Sequence, residues 1–381
     1  MPSQRKLISV LALSLSLGAC ALTPREGFTA ADQAAAVVPG FGPVRAWGDG
    51  PARDLARAVL GSVPGRGDVN VLALSGGGAG GAFSAGLLDG WTRRGTRPAF
   101  DVVTGVSTGA LIAPFAFLGP AYDATVAKLY TGDGAGGVAE PANLIAIATG
   151  DGLLDPGPLR RMVDSYCTPE FLAQIAAEHR RGRRLLAVST NLDAQRPVVW
   201  DMGAIASSPN PRAAALFRDV LVASASVPAV FPPVMIEAAA GDRAVREMHV
   251  DGVATAQIFI RPDAVAAAAP RRRVHVWAVV NNTLPPEFSL TAKGTLPIAY
   301  RSLSTVFKAQ TAAEVTAASE TAHRLGQDFE LAYIDRAVPF DPTTPFGASY
   351  MDQAFAIGAR EGQDGSAWHR DLKGLGEPAR P

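Results

Sequence analysis

The sequence has few cysteines, no excess of either charge and few histidines. Its 381 residues include two Cys, five His, and 35 Lys and Arg balanced by 35 Asp and Glu. A net charge of zero leaves no global positive field to attract nucleic acid, so no nucleic-acid partner is predicted. The histidines show no metal-ligand spacing, and neither a metal nor another cofactor is expected. The apolar fraction of 48% suffices for a large core, which favours a globular α/β protein.

The N-terminus carries a short apolar run. Two basic residues precede Leu7–Leu17, which is too short to span a bilayer and is typical of a secretory signal. Leu17–Cys20 resembles a bacterial lipobox, in which the cysteine is acylated and becomes the new N-terminus. Residues 1–19 are therefore predicted to be a lipoprotein signal peptide and Cys20 the lipidation site. Ala21, in place of Asp, favours the outer membrane, so a lipid-anchored protein of the bacterial cell envelope is expected, facing the periplasm or the exterior.

Composition divides the rest of the chain into three parts. Residues 20–67 are rich in Ala, Gly and Pro, which is typical of a tether, and a short helix is predicted near Arg53–Leu60. Residues 68–335 alternate predicted strands and helices and form the main domain. Residues 336–381 are interpreted as a C-terminal tail that packs on the domain through a helix near Tyr350–Ala359.

A glycine turn follows the first predicted strand of the domain. Val71–Leu74 is apolar, Ser75–Gly81 contains five glycines, and an apolar helix face begins at Phe83. Glycine permits backbone angles that bring several N–H groups together at a helix start, where the helix dipole favours negative charge. The turn is thus predicted to bind an anion, either a phosphate or the transient oxyanion of acyl transfer.

A second motif follows the next predicted strand, Phe100–Thr104. Gly105–Gly109 has the pattern G-x-S-x-G, and the apolar stretch Ala110–Leu118 behind it can form a packed helix. This order of strand, sharp turn and helix is that of a nucleophile elbow, in which the serine occupies a strained conformation and its neighbours at two positions on either side must be small. Ser107 is therefore a candidate nucleophile.

A carboxylate ends a later predicted strand. Asp251 follows Glu247–Val250 and precedes Gly252, a position where α/β folds put functional side chains, although an aspartate that caps a turn is the alternative. Before it, the proline-rich loop Ala225–Pro233 is predicted to wall a pocket.

Together these motifs resemble the bacterial patatin-like phospholipases, over roughly Val69 to Ile260. The matching segments, in order, are Ser75–Gly78, Phe100–Leu111, Ala223–Pro233 and Asp251–Gly252.

The resemblance implies a three-layer α/β sandwich with a mostly parallel central sheet. It also implies hydrolysis of a phospholipid or another acyl lipid by a Ser-Asp dyad. Ser107 corresponds to the nucleophile, Asp251 to its base, and Gly76, Gly77 and Gly78 to the oxyanion hole.

Two positions depart from the family pattern. The family often has a basic residue after the three glycines and a small residue after Asp-Gly, where this chain has Ala79 and Val253. With Ala79, no basic side chain is expected to help stabilise the oxyanion. Val253 is expected to narrow the loop beside Asp251.

Three other interpretations stay open. Gly76, Gly78 and Gly81 also satisfy the dinucleotide-binding pattern G-x-G-x-x-G, but Asp101 begins the next predicted strand, whereas a ribose-binding acid ends it. A non-catalytic lipid-binding lipoprotein would keep the fold without needing the elbow serine. An α/β-hydrolase would use a Ser-Asp-His triad. Its histidine would be one of His275, His323 or His369.

Overall fold

The structure is a computed structural model that describes residues 25–132, 154–341 and 344–375, apart from residues 62, 64, 66, 373 and 374. The predicted signal peptide, residues 1–19, and the predicted lipidation site Cys20 lie outside the described residues. Among the described helices, none has the combined length and hydrophobicity that a bilayer span requires.

A nine-stranded sheet forms the centre of the described chain. Its strands are β1 (Arg45–Trp47), β2 (Val69–Leu74), β3 (Val102–Val106), β4 (Arg184–Asn191), β5 (Arg196–Asp201), β6 (Val234–Ala240), β7 (Arg243–Asp251), β8 (Val274–Val280) and β9 (Asp328–Tyr333). The order is β1-β5-β4-β3-β2-β8-β9, with β7 also paired to β4 and β6 to β7. The five strands from β4 to β9 in this order are mutually parallel. The predicted mostly parallel sheet is confirmed.

Helices cover both faces of this sheet. They are α1 (Ala30–Ala35), α2 (Ala52–Leu55), α3 (Gly81–Arg94), α4 (Thr108–Leu118), α5 (Asp123–Tyr130), α6 (Gly157–Tyr166), α7 (Pro169–Arg180), α8 (Met202–Ser207), α9 (Ala213–Ser224), α10 (Pro262–Ala268), α11 (Thr295–Arg324) and α12 (Ala348–Asp364). Because side chains alternate along a strand, β2 directs Leu72 and Leu74 into a core shared with α3, α4 and α12. Val71 and Ala73 enter a second core with α10 and α11. The three layers of the predicted sandwich follow from this alternation.

The stretch predicted as a tether contains more structure than its composition indicates. The strand β1 pairs antiparallel with β5, and the predicted helix begins at Ala52. The side chains of Gln33 and Arg45 both bond the buried carboxylate of Glu247 on β7, at 2.5 and 2.9 Å. Residues 30–47 therefore belong to the domain, which a composition rich in Ala, Gly and Pro does not reveal.

The C-terminal helix α12 packs tightly against α3. The two helices approach so closely that a Cβ on Gly86 would lie 2.1 Å from the carbonyl oxygen of Phe355, and a Cβ on Gly358 would lie 2.2 Å from that of Phe83. The sequence predicts that the domain ends at residue 335. The helix α12, which follows this position, nevertheless packs on α3 as part of the same core.

Candidate active site

Ser107 occupies a strained turn between β3 and α4. Its φ of 55° and ψ of −126° fall in a region that non-glycine residues rarely adopt. The chain folds back here so sharply that a Cβ on Gly105 would lie 2.4 Å from the carbonyl oxygen of Gly109, and one on Gly109 would lie 2.3 Å from that of Leu74. Both glycines of the G-x-S-x-G pattern are required by this close approach, as the nucleophile-elbow interpretation expects.

A hydrogen-bond chain fixes the backbone of the turn. The N–H of Ser107 donates to the hydroxyl of Ser224 at 3.0 Å. That hydroxyl in turn donates to the carbonyl oxygen of Val188 at 2.6 Å. Sequence reasoning missed Ser224, although it lies in the Ala223–Pro233 segment that carried part of the family resemblance.

The relation of β3 to β7 explains how Ser107 and Asp251 meet. Residues 184–188 of β4 pair with β3, and residues 189–191 of the same strand pair with β7. On its other side β4 pairs with β5 along residues 186–191. The strands β3 and β7 therefore pair with consecutive parts of the same edge of β4. They run in opposite directions, and their carboxyl ends face each other.

Asp251 accepts hydrogen bonds from two donors. The Ser107 hydroxyl donates to its Oδ2 at 2.6 Å, and the Val253 N–H donates to its Oδ1 at 2.9 Å. Burial raises the pKa of Asp251 to about 7, although both hydrogen bonds favour the ionised form. A carboxylate with a pKa near neutrality is a far better proton acceptor than one in water.

None of the five histidines, all of which lie in described parts of the chain, hydrogen-bonds to Ser107 or Asp251. His249 is buried beside β4, with one ring nitrogen 2.9 Å from the hydroxyl of Ser189 and the other 3.1 Å from Glu247. The other four histidines lie elsewhere: His179 beside Asp201, His275 against Glu330, His323 exposed on α11, and His369 bridged to β9. The geometry does not support the alternative Ser-Asp-His triad.

The three candidate glycines differ in what their N–H groups do. Gly76 donates its N–H to the carbonyl oxygen of Gln257 at 2.9 Å, so that donor is not free for a ligand. Gly77 (φ 147°) and Gly78 (φ 54°) begin a 3-10 turn, where the first N–H groups have no partner within the turn. A Cβ on Gly76 would lie 2.5 Å from Cγ1 of Val253. The valine therefore narrows the loop beside Asp251 and requires a glycine opposite.

The loop after Asp251 is held by a residue from a distant helix. Glu314 on α11 accepts the N–H groups of Gln257 and Ile258 at 2.9 and 3.0 Å. The amide of Gln257 donates to the carbonyl oxygen of Val253 at 2.8 Å. No sequence signal identifies Glu314, because it lies 57 residues from Gln257 in a long alanine-rich helix.

A mostly apolar cavity of about 60 Å³ opens beside Ser107 and Gly78. The lining side chains come from α4, α5, α6, the proline-rich loop, the segment before α12 and α12 itself; among them are Leu111, Tyr130, Leu159, Met162, Val227, Phe231, Phe346 and Met351. The prediction that the loop Ala225–Pro233 walls a pocket is confirmed. This volume holds only a few waters, so the wall side chains must move to admit an acyl chain.

Two observations on the described residues bear on dinucleotide binding and on metal binding. Asp101 accepts the N–H of Asn70 at 2.8 Å at the amino end of the parallel strands, opposite the glycine turn. It is therefore unable to bind a ribose there. In the described part of the chain, no three His, Cys, Asp or Glu side chains are grouped as a metal site requires.

Comparison with known proteins identifies a family for this chain. A family model for patatin-like phospholipases matches residues 72–262, about half of the chain. Comparison with curated sequences finds no match. Among solved structures, VipD from Legionella pneumophila is similar with a TM-score of 0.42 and 12% sequence identity, over 80% of this chain and 68% of that chain.

Proposed function

Because the chain belongs to the patatin-like phospholipase family, a family of lipid acyl hydrolases, we propose that it hydrolyses ester bonds of phospholipids or other acyl lipids through a Ser107–Asp251 dyad. The observation that carries the dyad is the 2.6 Å hydrogen bond from the Ser107 hydroxyl to Asp251. A serine hydroxyl becomes an effective nucleophile when a base receives its proton. No cofactor is required.

The reaction has two halves. In the first, Ser107 Oγ attacks the ester carbonyl carbon while its proton passes to Asp251. The tetrahedral intermediate then collapses, the ester C–O bond breaks, and the alcohol leaves with the proton from Asp251. In the second half a water molecule gives a proton to Asp251 and attacks the acyl-enzyme, which releases the fatty acid and returns the proton to Ser107.

The charge that forms on the carbonyl oxygen needs donors placed in advance. We assign this role to the N–H groups of Gly77 and Gly78, since Gly78 lines the cavity with Ser107. Gly76 leaves room for the side chain of Val253. Its N–H is bonded to Gln257, so we do not assign it to the oxyanion hole. Ala79 carries no charge, so backbone donors supply the stabilisation without a cationic side chain. The apolar walls of the cavity suit the acyl chain of the substrate.

The dyad is tested by substitution. Ser107→Ala and Asp251→Asn should each abolish hydrolysis of phospholipids and of short p-nitrophenyl esters, and both should prevent labelling by a fluorophosphonate. Ala at His275 or His323 should leave activity within about twofold of the parent, because neither side chain contacts the site. A folded histidine variant as inactive as Ser107→Ala would contradict the dyad, and a parent that binds lipid vesicles but hydrolyses no ester would indicate a non-catalytic lipid-binding protein.

We also propose that the mature protein is anchored in the outer membrane through acylated Cys20. Two or more acyl chains give stable attachment, whereas one chain binds only weakly. Such an anchor would keep the enzyme beside its lipid substrate.

A further inference from the structure

A group of strongly exposed apolar side chains lies between β8 and the middle of α11. Phe288 is 94% exposed and Leu290 is 88% exposed. Ile298, Leu303 and Val306 on α11 are each more than half exposed. We name these five residues the apolar tip. Phe288 and Leu290, which are the most exposed of the five, lie two residues apart in the loop before α11 and present two apolar side chains to a partner surface.

The chain segment that carries the apolar tip has a net positive charge. Residues 281–310 contain three cations (Lys293, Arg301 and Lys308) and one anion (Glu287), a net charge of +2 in a chain whose total is zero. Glu287 is paired with Lys308 at 2.8 Å, and the guanidinium of Arg301 donates to the carbonyl oxygen of the same glutamate, so one carboxylate faces two of the three cations. Apolar side chains beside basic ones suit a surface of anionic phospholipid.

The apolar tip lies at the same edge of the sheet as the candidate active site. The helix α11 leads into β9, which runs parallel to β8, so the first half of α11 lies at the carboxyl ends of the parallel strands, where Ser107 and the glycine turn also lie. Tyr300 stacks on Phe340 at 6.2 Å, and Phe340 meets Tyr350 edge-on at 5.2 Å. The next residue, Met351, lines the cavity with Ser107.

The start of the described chain lies at this edge as well. Arg25 pairs with Asp193, in the turn after β4, at 2.7 Å. Cys20 is five residues upstream, and five extended residues span at most about 18 Å. An anchor at Cys20 would therefore hold this edge of the molecule close to the bilayer.

We propose that the apolar tip docks on the surface of a phospholipid membrane and inserts Phe288 and Leu290 among the lipids. This proposal rests on the proposed function, since it gives the cavity direct access to lipid substrate. Membrane lipid is favoured over a second copy of the chain by the net positive charge of this segment, by the ring contacts that lead to the cavity and by the proposed anchor at Cys20.

Insertion can be measured without catalysis. Leu290→Trp in a Ser107→Ala background should show a blue-shifted emission with phosphatidylethanolamine–phosphatidylglycerol vesicles, and lipids with brominated acyl chains should quench it. Leu325→Trp, at the opposite end of α11, is the matched control and should show neither effect. Equal responses from the two probes, or none from Leu290→Trp, would overturn the proposal.

Activity gives a second readout. Phe288→Ser with Leu290→Ser should lower hydrolysis of vesicle phospholipid by about tenfold or more, because two apolar side chains no longer leave water. Hydrolysis of a monomeric p-nitrophenyl ester should not change, and Leu325→Ser should affect neither substrate. Equal losses on both substrates, or a parent dimer that becomes a monomer in the double variant, would contradict docking on lipid. A parent inactive on both substrates would instead contradict the proposed function.

A separate set of contacts concerns the glycine turn. Asn281 follows β8 and is fully buried. Its side-chain amide donates to the carbonyl oxygen of Ser75 at 2.8 Å, and its side-chain oxygen accepts from the hydroxyl of Ser84 at 2.6 Å. Its backbone N–H also donates to the Ser75 hydroxyl at 2.9 Å. One side chain therefore joins both ends of the turn that contains Gly76–Gly80.

The turn also rests directly on this residue. A Cβ on Gly77 would lie 2.7 Å from both Cβ and the carbonyl oxygen of Asn281, and a Cβ on Gly80 would lie 1.9 Å from that oxygen. We infer that Asn281 is a positioning residue that aims the N–H groups of Gly77 and Gly78 at the oxyanion, an inference that also rests on the proposed function.

The test separates positioning from folding. Asn281→Ala and Asn281→Asp should lower kcat by about tenfold or more with little change in KM, since loss of a whole donor costs about 10²–10³ in kcat. Both should slow fluorophosphonate labelling of Ser107 to a similar extent. Asn282→Ala, one residue along, is the matched control. If the Asn281 variants unfold at lower temperature but keep the parent's kcat and labelling rate where they are folded, Asn281 has a purely structural role; a parent that does not label at Ser107 would contradict the proposed function itself.

Discussion

At the scale of single residues, the site combines a strained serine with a buried acid that, among the described residues, pairs with no cation. Burial raises the pKa of Asp251 from 3.8 to about 7, so the folded protein holds a proton on this carboxyl more tightly than the unfolded chain does. The contribution of Asp251 to stability therefore falls as pH rises from about 4 to about 7. Such a cost is typical of active sites, where function and stability conflict.

The pH dependence of activity follows from the same pKa. Asp251 accepts the proton of Ser107 only when ionised, so kcat/KM for a soluble ester should rise with pH and level off above about pH 7. The profile should be measured on parent protein under conditions where it stays folded throughout. A kcat/KM that is constant from pH 5 to pH 8 would exclude Asp251 as a base of raised pKa.

Gly77 provides a test of the oxyanion donors. In Gly77→Ala the new Cβ meets Asn281 and must displace the turn, so kcat should fall by about 10²–10³. Gly95→Ala is the control, since Gly95 also has a positive φ (77°) but has nothing within 4 Å of the added Cβ. It should lose about 1 kcal/mol of stability and no activity. If a folded Gly77→Ala protein keeps the full kcat of the parent, Gly77 is not part of the oxyanion hole.

At the scale of elements, several strands and helices were predictable and their contacts were not. The strand β2, the elbow and the long helix α11 follow from apolar runs, glycines and alanine content. The pairing of β3 and β7 on one edge of β4 does not, because register between segments more than 50 residues apart leaves no local pattern. Two strand ends bring Ser107 and Asp251 together, and the two strands run in opposite directions.

The contact between α3 and α12 predicts a site sensitive to small changes. Gly358→Ala should destabilise the protein by about 3 kcal/mol, because the added methyl meets the backbone of α3 and forces the helices apart. Ala356→Ser, at an exposed position of the same helix, should change the free energy of unfolding by less than about 0.5 kcal/mol. Denaturant titration of both variants measures the difference. Equal stability of the two variants would show that α3 and α12 accommodate the added methyl and would contradict this prediction.

At the scale of the whole molecule, one edge of the sheet carries Ser107, the glycine turn, the apolar tip and the first described residues. This arrangement turns the cavity and the proposed anchor toward the same side.

The anchor itself is open to direct measurement. Cys20→Ser should remove lipid from the mature N-terminus and shift the protein from the membrane fraction to the soluble fraction, or leave the signal peptide uncleaved. Mass spectrometry of the N-terminal peptide and membrane fractionation report both effects. If the variant fractionates with membranes as the parent does and no lipid is found on Cys20 of the parent, the anchor proposal fails.

The sequence by itself determined the α/β class, the elbow at Ser107, the glycine turn and the candidate acid at Asp251. Each depends on local chemistry, since a sharp turn requires glycine and a buried strand requires an apolar run. Only the tertiary structure decided that Gly76 gives its N–H to Gln257 and that no histidine reaches Ser107. It also decided that residues 30–47 join the domain, because Glu247 takes its partners from a distant segment. Burial and hydrogen bonding between remote segments set these features, and no local pattern encodes them.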